Sequence, residues 1–473
     1  MSGSDVAPAE ALPLERLPFQ LEPDPRRVLL RPFLPSLVVK PTAAAGHTER
    51  LERLAQQRWR DVLASLQPQH PLSGEQRLLL GYYLTHEYAL ESAALFNPSL
   101  VPHPDQGGLP PGSLRVVLSL CATGEGHISS IEFPGGVLHA DGRMDLDPVS
   151  PFVFQGEITS LNAAEGHYQV TYGPESQLSE RVLFPVTARE SNGLEDARFV
   201  RLAGEDPCWL ATATAYDGRG IQCQLITTRD FATFELRPLR GAAVHNKGLA
   251  FFPRQIDNQW MLGRQDSENI HLMRSDQVDL WPGSRVLLRP REPWEFIQLG
   301  NCGSPLETEA GWLVLTHGVG AVREYCIGAA LLDLEDPARV LGRLRHPLLR
   351  AAEDERDGYV PNVGIASSNW PFKAPVMVPV VTADQRPVST GPKRISLPCR
   401  LPPLNQGVSR GLPLASATMA TPAPKISNPI ISTSSQALCR RLPMKRPKAS
   451  IVAAGMRSIA QVQNRLVNRV GFS

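Results

Sequence analysis

Two adjacent carboxylates and an arginine, Glu195, Asp196 and Arg198, follow the dipeptide Asn192-Gly193 and lead into an apolar strand sequence. Asn-Gly is a turn signal, and a strand behind it would hold the charged side chains in fixed positions. Carboxyl groups in such a place can donate or accept protons during catalysis. Charges packed this closely against strand sequence therefore either cap a surface turn or line a site.

The composition indicates a globular protein joined to a segment of different character. The 473 residues exceed one typical domain, so we expect two or more units or one large β-unit with additions. The fractions of hydrophobic (42%) and charged (20%) residues suit a globular fold. The net charge of +1 hides an asymmetry, because residues 367–473 contain 15 Lys and Arg but a single acid, Asp384.

The cysteines and the apolar runs of the sequence indicate the cellular compartment of the protein. The seven cysteines form no C-x-x-C pair and are odd in number, which favours reduced thiols and argues against zinc. No apolar signal region opens the sequence, and no apolar run approaches 18 residues. The sequence therefore predicts a cytoplasmic protein without a signal peptide or membrane span.

The first hundred residues predict a flexible N-terminus (1–30), which ends in a strand at 27–30, and then a helical segment (31–105). One helix is predicted over 48–66 from its apolar spacing. A second begins at the capping box of Ser73 and Gln76 and continues toward Leu95. Asn97-Pro98 then ends this helix.

A repeat of about 50 residues organises the next region, 106–366. Trp209, Trp260 and Trp312 are 51 and 52 residues apart, and each opens an apolar strand. Each is followed by a second strand that ends in an aspartate, at Asp230, Asp276 and Asp333. A repeated unit of four strands is typical of a β-propeller, although a β-sandwich could also give this spacing. In a propeller, polar residues from distant parts of the chain face one axial funnel.

Residues 367–473 lack this repeat. They contain about fourteen prolines and Ser/Thr-rich runs. The segment is either a disordered basic tail or the product of a shifted reading frame. Its basic residues lack interleaved aromatic residues, which argues against nucleic-acid binding.

Several separate motifs resemble one family. Residues 191–198 are similar to the G-x-E-D-[PA]-R motif of the mannoside phosphorylases of glycoside hydrolase family 130. Further similarity follows in the same order at 246–254, 263–266, 303–313, 316–319 and 325–334, and the resemblance extends over about 97–362. It implies a five-bladed β-propeller, complete or incomplete, with a central sugar site.

The resemblance also implies a reaction, the inverting phosphorolysis of a β-mannoside to α-mannose 1-phosphate. Asp196 matches the proton donor of the family, in which the proton passes through the 3-hydroxyl of the mannosyl unit. Phosphate is already anionic, so the site needs one acid and a set of cations and neutral donors rather than a second catalytic carboxylate. The positions that match phosphate ligands are Lys247, Arg264, His317 and Tyr325. Singly, each could instead be a solvated charge or a packed core residue.

Sugar hydroxyls need paired donors and acceptors in a partly dry pocket. The candidates for this recognition are Asn97, Glu195, Arg198, Asp266, Asn301 and Asn362. No nucleotide-binding glycine loop, metal-ligand cluster or nucleophile elbow occurs, so we expect inorganic phosphate as co-substrate and no cofactor. The expected partners are a β-linked manno-oligosaccharide and phosphate, and a homo-oligomer remains open.

Two alternatives accompany this hypothesis. A hydrolase of the same family would need a base to activate water, with Glu268, Glu307 and Glu309 as candidates. An inactive member would lack the last strands of the propeller, since residues 367–473 contain no recognisable closing segment. A ring without those strands would expose unpaired edges and an open funnel.

Overall fold

Short antiparallel strands make up most of the chain, with few helices. The structure is a computed structural model that describes residues 20–32, 56, 72–204, 208–257, 259–263, 268–351, 364–366, 378–381 and 449–451. Across these ranges, no helix is long and apolar enough to cross a membrane. The structure therefore has the mainly β character that the repeat of apolar strands in 106–366 predicts.

One α-helix, α1 (Gly74–Tyr83), is described, and its start confirms the predicted capping box. The backbone N–H of Gln76 donates to Ser73 Oγ at 3.2 Å, and Gln76 Oε1 accepts from the Ser73 N–H at 2.9 Å. The predicted helix over 48–66 lies outside the described residues, apart from Gln56. One-turn 3-10 helices lie at Glu125–His127, Leu178–Glu180, Ala188–Glu190, Pro293–Glu295 and Ala321–Arg323.

The prediction that the second helix continues toward Leu95 is wrong, because α1 ends at Tyr83 and two strands follow. These are β3 (Thr85–Ala89) and β4 (Ala94–Pro102). They pair with strands from distant parts of the chain, β3 with residues 28–32 and β4 with residues 116–123. These pairings satisfy the backbone groups that a helix would have satisfied locally, and they bury Leu90 and Leu95 in one apolar cluster.

Twelve strands are described in the N-terminal half of the chain. In chain order they are β1 (Gln20–Leu21), β2 (Val28–Pro32), β3, β4, β5 (Leu114–Thr123), β6 (Ser129–Glu132), β7 (Gly135–Leu138), β8 (Met144–Leu146), β9 (Phe152–Val153), β10 (Glu157–Asn162), β11 (His167–Thr171) and β12 (Val182–Leu183). β2 confirms the strand predicted at 27–30 and forms a small sheet with β3 and β9. β4 to β8 form the first part of the largest sheet, in which β5 is central.

Three four-stranded units follow. The first is β13 (Gly193–Arg201), β14 (Trp209–Tyr216), β15 (Ile221–Thr228) and β16 (Thr233–Pro238), to which β11 and β10 add at the outer edge. The second is β17 (Ala250–Phe251), β18 (Gln259–Gly263), β19 (Ile270–Ser275) and β20 (Ser284–Leu288). The third is β21 (Gln298–Asn301), β23 (Gly311–Val319), β24 (Tyr325–Leu332) and β25 (Val340–Arg343), with β22 (Leu306–Thr308) and β26 (Leu349–Arg350) at its edges.

The tryptophan repeat corresponds to these units. Each of the three tryptophans lies on the second strand of its unit, β14, β18 or β23, and each aspartate comes directly after or near the end of the third strand. Trp209 and Trp312 are fully buried. The repeat of four-stranded antiparallel units predicted from the spacing is therefore present in this part of the chain.

Apolar clusters lie between successive units. One cluster joins the β5–β6 sheet to the first unit through Phe133, Phe199 and Phe234. A second cluster packs the first unit against the second unit. A third cluster packs the second unit against the third unit, and in it Phe252 contacts Trp312 edge-to-face. These shared side chains pack each unit against the next.

The last described strands belong to a separate sheet. β27 (Gly364–Ala366), β28 (Val378–Val381) and β29 (Ala449–Ile451) pair antiparallel, and β1 completes the sheet in the order β1-β29-β28-β27. β28 and β29 fall in the range 367–473 that was predicted to be disordered or frame-shifted. The rest of that range lies outside the described residues.

Candidate active site

The Glu195-Asp196 pair lies on a β-bulge. In β13, Glu195 pairs with Thr214 and Arg198 pairs with Thr212, so the strand has one more residue than its partner between these points. Asp196 is the residue with left-handed backbone, at φ 59°. A bulge re-aims side chains away from the regular alternation, and aspartate tolerates this conformation better than most residues.

A second bulge faces the first from β4. The register of β4 against β5 shifts between Phe96 and Ser99, and Asn97 has φ 49°. The two strands are tied together because the backbone N–H of Phe199 donates to Ser99 Oγ at 2.9 Å. Each bulge turns one polar side chain toward the other, so that Asn97 Nδ2 donates a hydrogen bond to Asp196 Oδ1.

Lys247 completes this cluster from the loop before β17. Its Nζ lies 3.4 Å from Asp196 Oδ2 and 3.6 Å from Glu195 Oε1. The Asp196 side chain is 13% exposed, whereas that of Lys247 is 39% exposed. Four predicted site residues, Asn97, Glu195, Asp196 and Lys247, therefore meet at one point, although they come from three separate segments.

The two carboxyl groups have pKa values shifted in opposite directions. Burial acts to raise the pKa of Asp196, but Lys247, the Asn97 hydrogen bond and Arg198 outweigh it and hold that pKa below its usual range. Burial and the neighbouring Asp196 charge raise the pKa of Glu195, with Lys247 opposing them. Asp196 is thus the stronger acid of the pair in this arrangement.

Arg198 connects the first strand of one four-stranded unit to the other two units. Its Nη1 donates to the backbone oxygens of Gly248, at 3.0 Å, and Asn301, at 2.8 Å. Burial lowers the pKa of this guanidinium, and the charge of Asp196 offsets part of the effect. Through these bonds Arg198 fixes β13 to the segment before β17 and to the end of β21.

His317 follows Thr316, the strand partner of Asn301, and Tyr325 lies on the next strand. His317 and Tyr325 lie on the paired strands β23 and β24, and their rings stack with centroids 6.0 Å apart at 29°. His317 on β23 pairs with Gly300 on β21, and Gly300 is the residue before Asn301. Asn301 itself is buried, and its Oδ1 has no hydrogen-bond partner among the described residues.

Arg264, Asp266 and Asn362 lie outside the described residues. The roles given to all these positions stay predictions. The structure brings Asn97, Glu195, Asp196 and Lys247 into direct contact, and it links Arg198 to Asn301.

Two cysteines near the predicted residues were missed by the sequence reasoning. Cys121 lies against the backbone of Asp196, and burial together with the Asp196 and Glu195 charges raises the pKa of its thiol. Cys302 has its Sγ 4.0 Å from His317 Nδ1, and burial raises its pKa to about 12. Neither cysteine has a sequence neighbour that signals its position, since the contacts arise from strand pairing.

Glu307, Glu268 and Glu309 are the glutamates considered as hydrolytic bases. Glu307 is on β22, which pairs with the Trp312 end of β23, away from His317. It forms an ion pair with Arg254 at 2.9 Å. Glu268 and Glu309 are exposed.

Comparisons with known proteins agree with the motifs. Residues 161–368 match a family model described as beta-1,4-mannooligosaccharide phosphorylase. Over 203 residues the chain is 30% identical to a 1,2-beta-oligomannan phosphorylase of a Thermoanaerobacter species, covering 41% of this chain and 66% of that protein. Over 197 residues it is 32% identical to a beta-1,2-mannobiose phosphorylase of Listeria innocua, covering 39% of this chain and 53% of that protein. The matches therefore span between about half and two thirds of these two relatives.

Among solved structures, the chain is similar to the beta-1,2-mannobiose phosphorylase of Listeria innocua in complex with beta-1,2-mannobiose. The TM-score is 0.40 at 19% identity, and the match covers 60% of this chain and 87% of that one.

Proposed function

Because residues 161–368 carry the match, this chain belongs to glycoside hydrolase family 130, and we propose that it catalyses the inverting phosphorolysis of β-mannosides. The substrates are a mannobiose or manno-oligosaccharide and inorganic phosphate, and the products are α-mannose 1-phosphate and the shortened acceptor. The names of the two relatives cite β-1,2 linkages and the description of the family model cites a β-1,4 linkage, so the linkage is left to experiment.

The contact set of Asp196 is the observation that supports this proposal best. One buried carboxyl group lies between the amide of Asn97 and the ammonium of Lys247. The second carboxyl group, Glu195, approaches the same ammonium. A hydrolytic base would have to activate water on the opposite face of the sugar ring from the acid. Here the two carboxyl groups instead share one cation, Lys247. A cation in this place suits the binding of an anionic nucleophile such as phosphate.

Each group then has a distinct task. Phosphate binds to Lys247 and to the donors of His317 and Tyr325, with Arg264 as a further ligand, and one of its oxygens attacks the anomeric carbon. The leaving oxygen receives the proton of Asp196 by way of the mannosyl 3-hydroxyl. Asn97, Glu195, Arg198, Asp266, Asn301 and Asn362 bind or orient the sugar. Fixed donors aimed at phosphate oxygens stabilise the charge that is transferred in the reaction.

The architecture that we propose is a five-bladed β-propeller. The three units after Gly193 are successive blades, and the β4–β8 region is the blade before them. The sheet of β27, β28, β29 and β1 is the fifth, and β27 lies against β4. This arrangement supports a ring that closes around the Asp196 cluster, in contrast to an inactive member without its closing strands.

The activity is tested by incubating the full chain with β-1,2- and with β-1,4-mannobiose, with and without inorganic phosphate. We expect mannose 1-phosphate and mannose in equal amounts, only when phosphate is present, with the phosphate ester in the α configuration by NMR. Mannose alone, released equally with and without phosphate, would instead identify a hydrolase. Absence of turnover of both disaccharides would overturn the proposed activity.

A further inference from the structure

Both carboxylate oxygens of Asp196 accept hydrogen bonds. Oδ1 accepts from the Asn97 amide, and Oδ2 lies 3.4 Å from the Lys247 ammonium. Neither donor can accept a proton in return, since an ammonium has no acceptor and the amide presents its N–H. A protonated carboxyl group would place its hydrogen against one of these N–H groups. This arrangement therefore stabilises the carboxylate form of Asp196 over the protonated form that a general acid needs.

The groups that face Asp196 differ in their freedom to move. Arg198, on the same strand, is held by two backbone oxygens, and Asn97 is held at the bulge of β4. Glu195 lies beside Lys247, and the Cys121 thiol lies against the backbone of Asp196 from β5. Lys247 stands at the end of a flexible four-carbon side chain and is 39% exposed, so its ammonium is the group best able to leave.

We propose that Lys247 is a switch that couples phosphate binding to the protonation of Asp196. This inference rests on the proposed function and adds a second role to the lysine. Without phosphate, the ammonium holds Asp196 as a carboxylate. When phosphate binds, the ammonium turns to the phosphate oxygens, which carry more negative charge than a single carboxylate. Oδ2 then loses its donor, and the buried carboxyl group takes a proton.

The protons balance over one turnover. Asp196 takes one proton from solvent as phosphate binds and gives it to the leaving oxygen, by way of the mannosyl 3-hydroxyl, as the glycosidic bond breaks. Hydrogen phosphate loses its own proton when its oxygen becomes the ester oxygen of mannose 1-phosphate, and this proton returns to solvent. The acid is therefore loaded only when the nucleophile is in place, which suppresses hydrolysis of a mannoside bound alone.

The switch is tested by infrared difference spectroscopy at neutral pH, through the carbonyl stretch of a protonated carboxyl group. We expect this band to appear when saturating phosphate is added to the wild-type chain. Its absence from Asp196→Asn would assign the band to the Asp196 carboxyl group. Loss of an opposite charge at this distance moves a pKa by about 1–3, so the protonated fraction should rise about 10-fold or more. Calorimetry on the same sample establishes that phosphate is bound.

Variants at Lys247 separate the switch from the activity. In Lys247→Met we expect the band without phosphate, because burial is no longer opposed by the ammonium. In Lys247→Arg, which keeps the charge, the band should be missing until phosphate is added, and thermal melts verify that both variants fold. Bound phosphate without a band in the wild type would overturn the switch but leave phosphorolysis standing. A chain that does not bind phosphate would overturn both.

Discussion

The ring of His317 lies over Gly300, its partner on the neighbouring strand. A Cβ atom at position 300 would stand 2.6 Å from His317 Nε2, which is closer than side-chain atoms approach one another. The missing side chain of Gly300 therefore defines where the imidazole can lie. The ring of His317 also stacks with that of Tyr325, on the strand at the other side of β23, at an interplanar angle of 29°.

Gly300→Ala should weaken phosphate binding by displacing His317. We expect KM for phosphate to rise about tenfold, which corresponds to about 1.4 kcal/mol, with a smaller change in KM for the mannoside. Steady-state kinetics with each substrate varied in turn provides the measurement. Gly283→Ala is the matched control, because a Cβ there meets no atom within 4 Å. Equal phosphate KM values in the two variants would contradict the assigned position of His317.

A second buried cluster predicts how stability depends on pH. Arg27 Nε lies 2.9 Å from Glu91 Oε1 and 2.8 Å from Glu132 Oε2, and all three side chains are almost fully buried. Burial, and then the charge of Glu132, raises the pKa of Glu91 to about 9 from an ordinary value of 4.5. The folded chain thus binds more protons than the unfolded chain between these pH values. Its free energy of unfolding should fall as pH rises from 4.5 to 9.

Glu91→Gln should remove most of this slope, since an amide does not titrate. Melting temperatures at pH 5, 7 and 9 would measure it, with a decline of several degrees in the wild type and a flatter curve in the variant. Arg27, Glu91 and Glu132 line a cavity of about 480 Å³ together with Glu22. Glu22→Gln is the control, because Glu22 is exposed. Parallel curves for wild type and Glu91→Gln would show that Glu91 does not carry the pH dependence.

The sequence predicted the parts of this fold that depend on local pattern. The capping box at Ser73 and the strands that contain Trp209 and Trp312 are signals within a few residues, repeated at fixed spacing. The end of α1 was missed because β3 and β4 take their hydrogen bonds from residues far away in the chain. Apolar spacing alone does not distinguish such strands from a buried helix.

The candidate site shows the same division. Asp196 stands out by its neighbours in sequence, but Asn97 lies 99 residues before it and Lys247 lies 51 residues after it. Only the family resemblance selected these two as partners of Asp196, although Lys247 is the sole lysine of residues 41–372. Gly300 carries no local sign of its role, because that role arises from strand register against His317.

Loss of Arg198 should destabilise the fold as well as the site. Arg198→Met leaves the backbone oxygens of Gly248 and Asn301 without their donor and removes a cation near Asp196. Buried groups left unpaired cost about 1–3 kcal/mol each, so we expect a loss of about 2–4 kcal/mol in urea unfolding. Arg189→Met is the control, since that arginine is 69% exposed in an ion pair with Asp217 and should leave the unfolding curve unchanged. Similar curves for the two variants would mean that the Arg198 bonds do not hold the strands together.

Asp196→Asn should abolish phosphorolysis of mannobiose while it spares substrates that need no acid. The amide keeps the shape of the side chain but cannot donate a proton to the leaving oxygen, and loss of general acid catalysis costs about 10²–10⁴ in rate. A dinitrophenyl β-mannoside has a leaving group that departs without protonation, so the variant should convert it with phosphate at a rate close to that of the wild type. Release of dinitrophenol and of mannose 1-phosphate would be followed together. Glu195→Gln, which changes the neighbouring carboxyl group, should not show this selective rescue. An equal loss on both substrates in Asp196→Asn would assign Asp196 to binding or folding rather than to proton transfer.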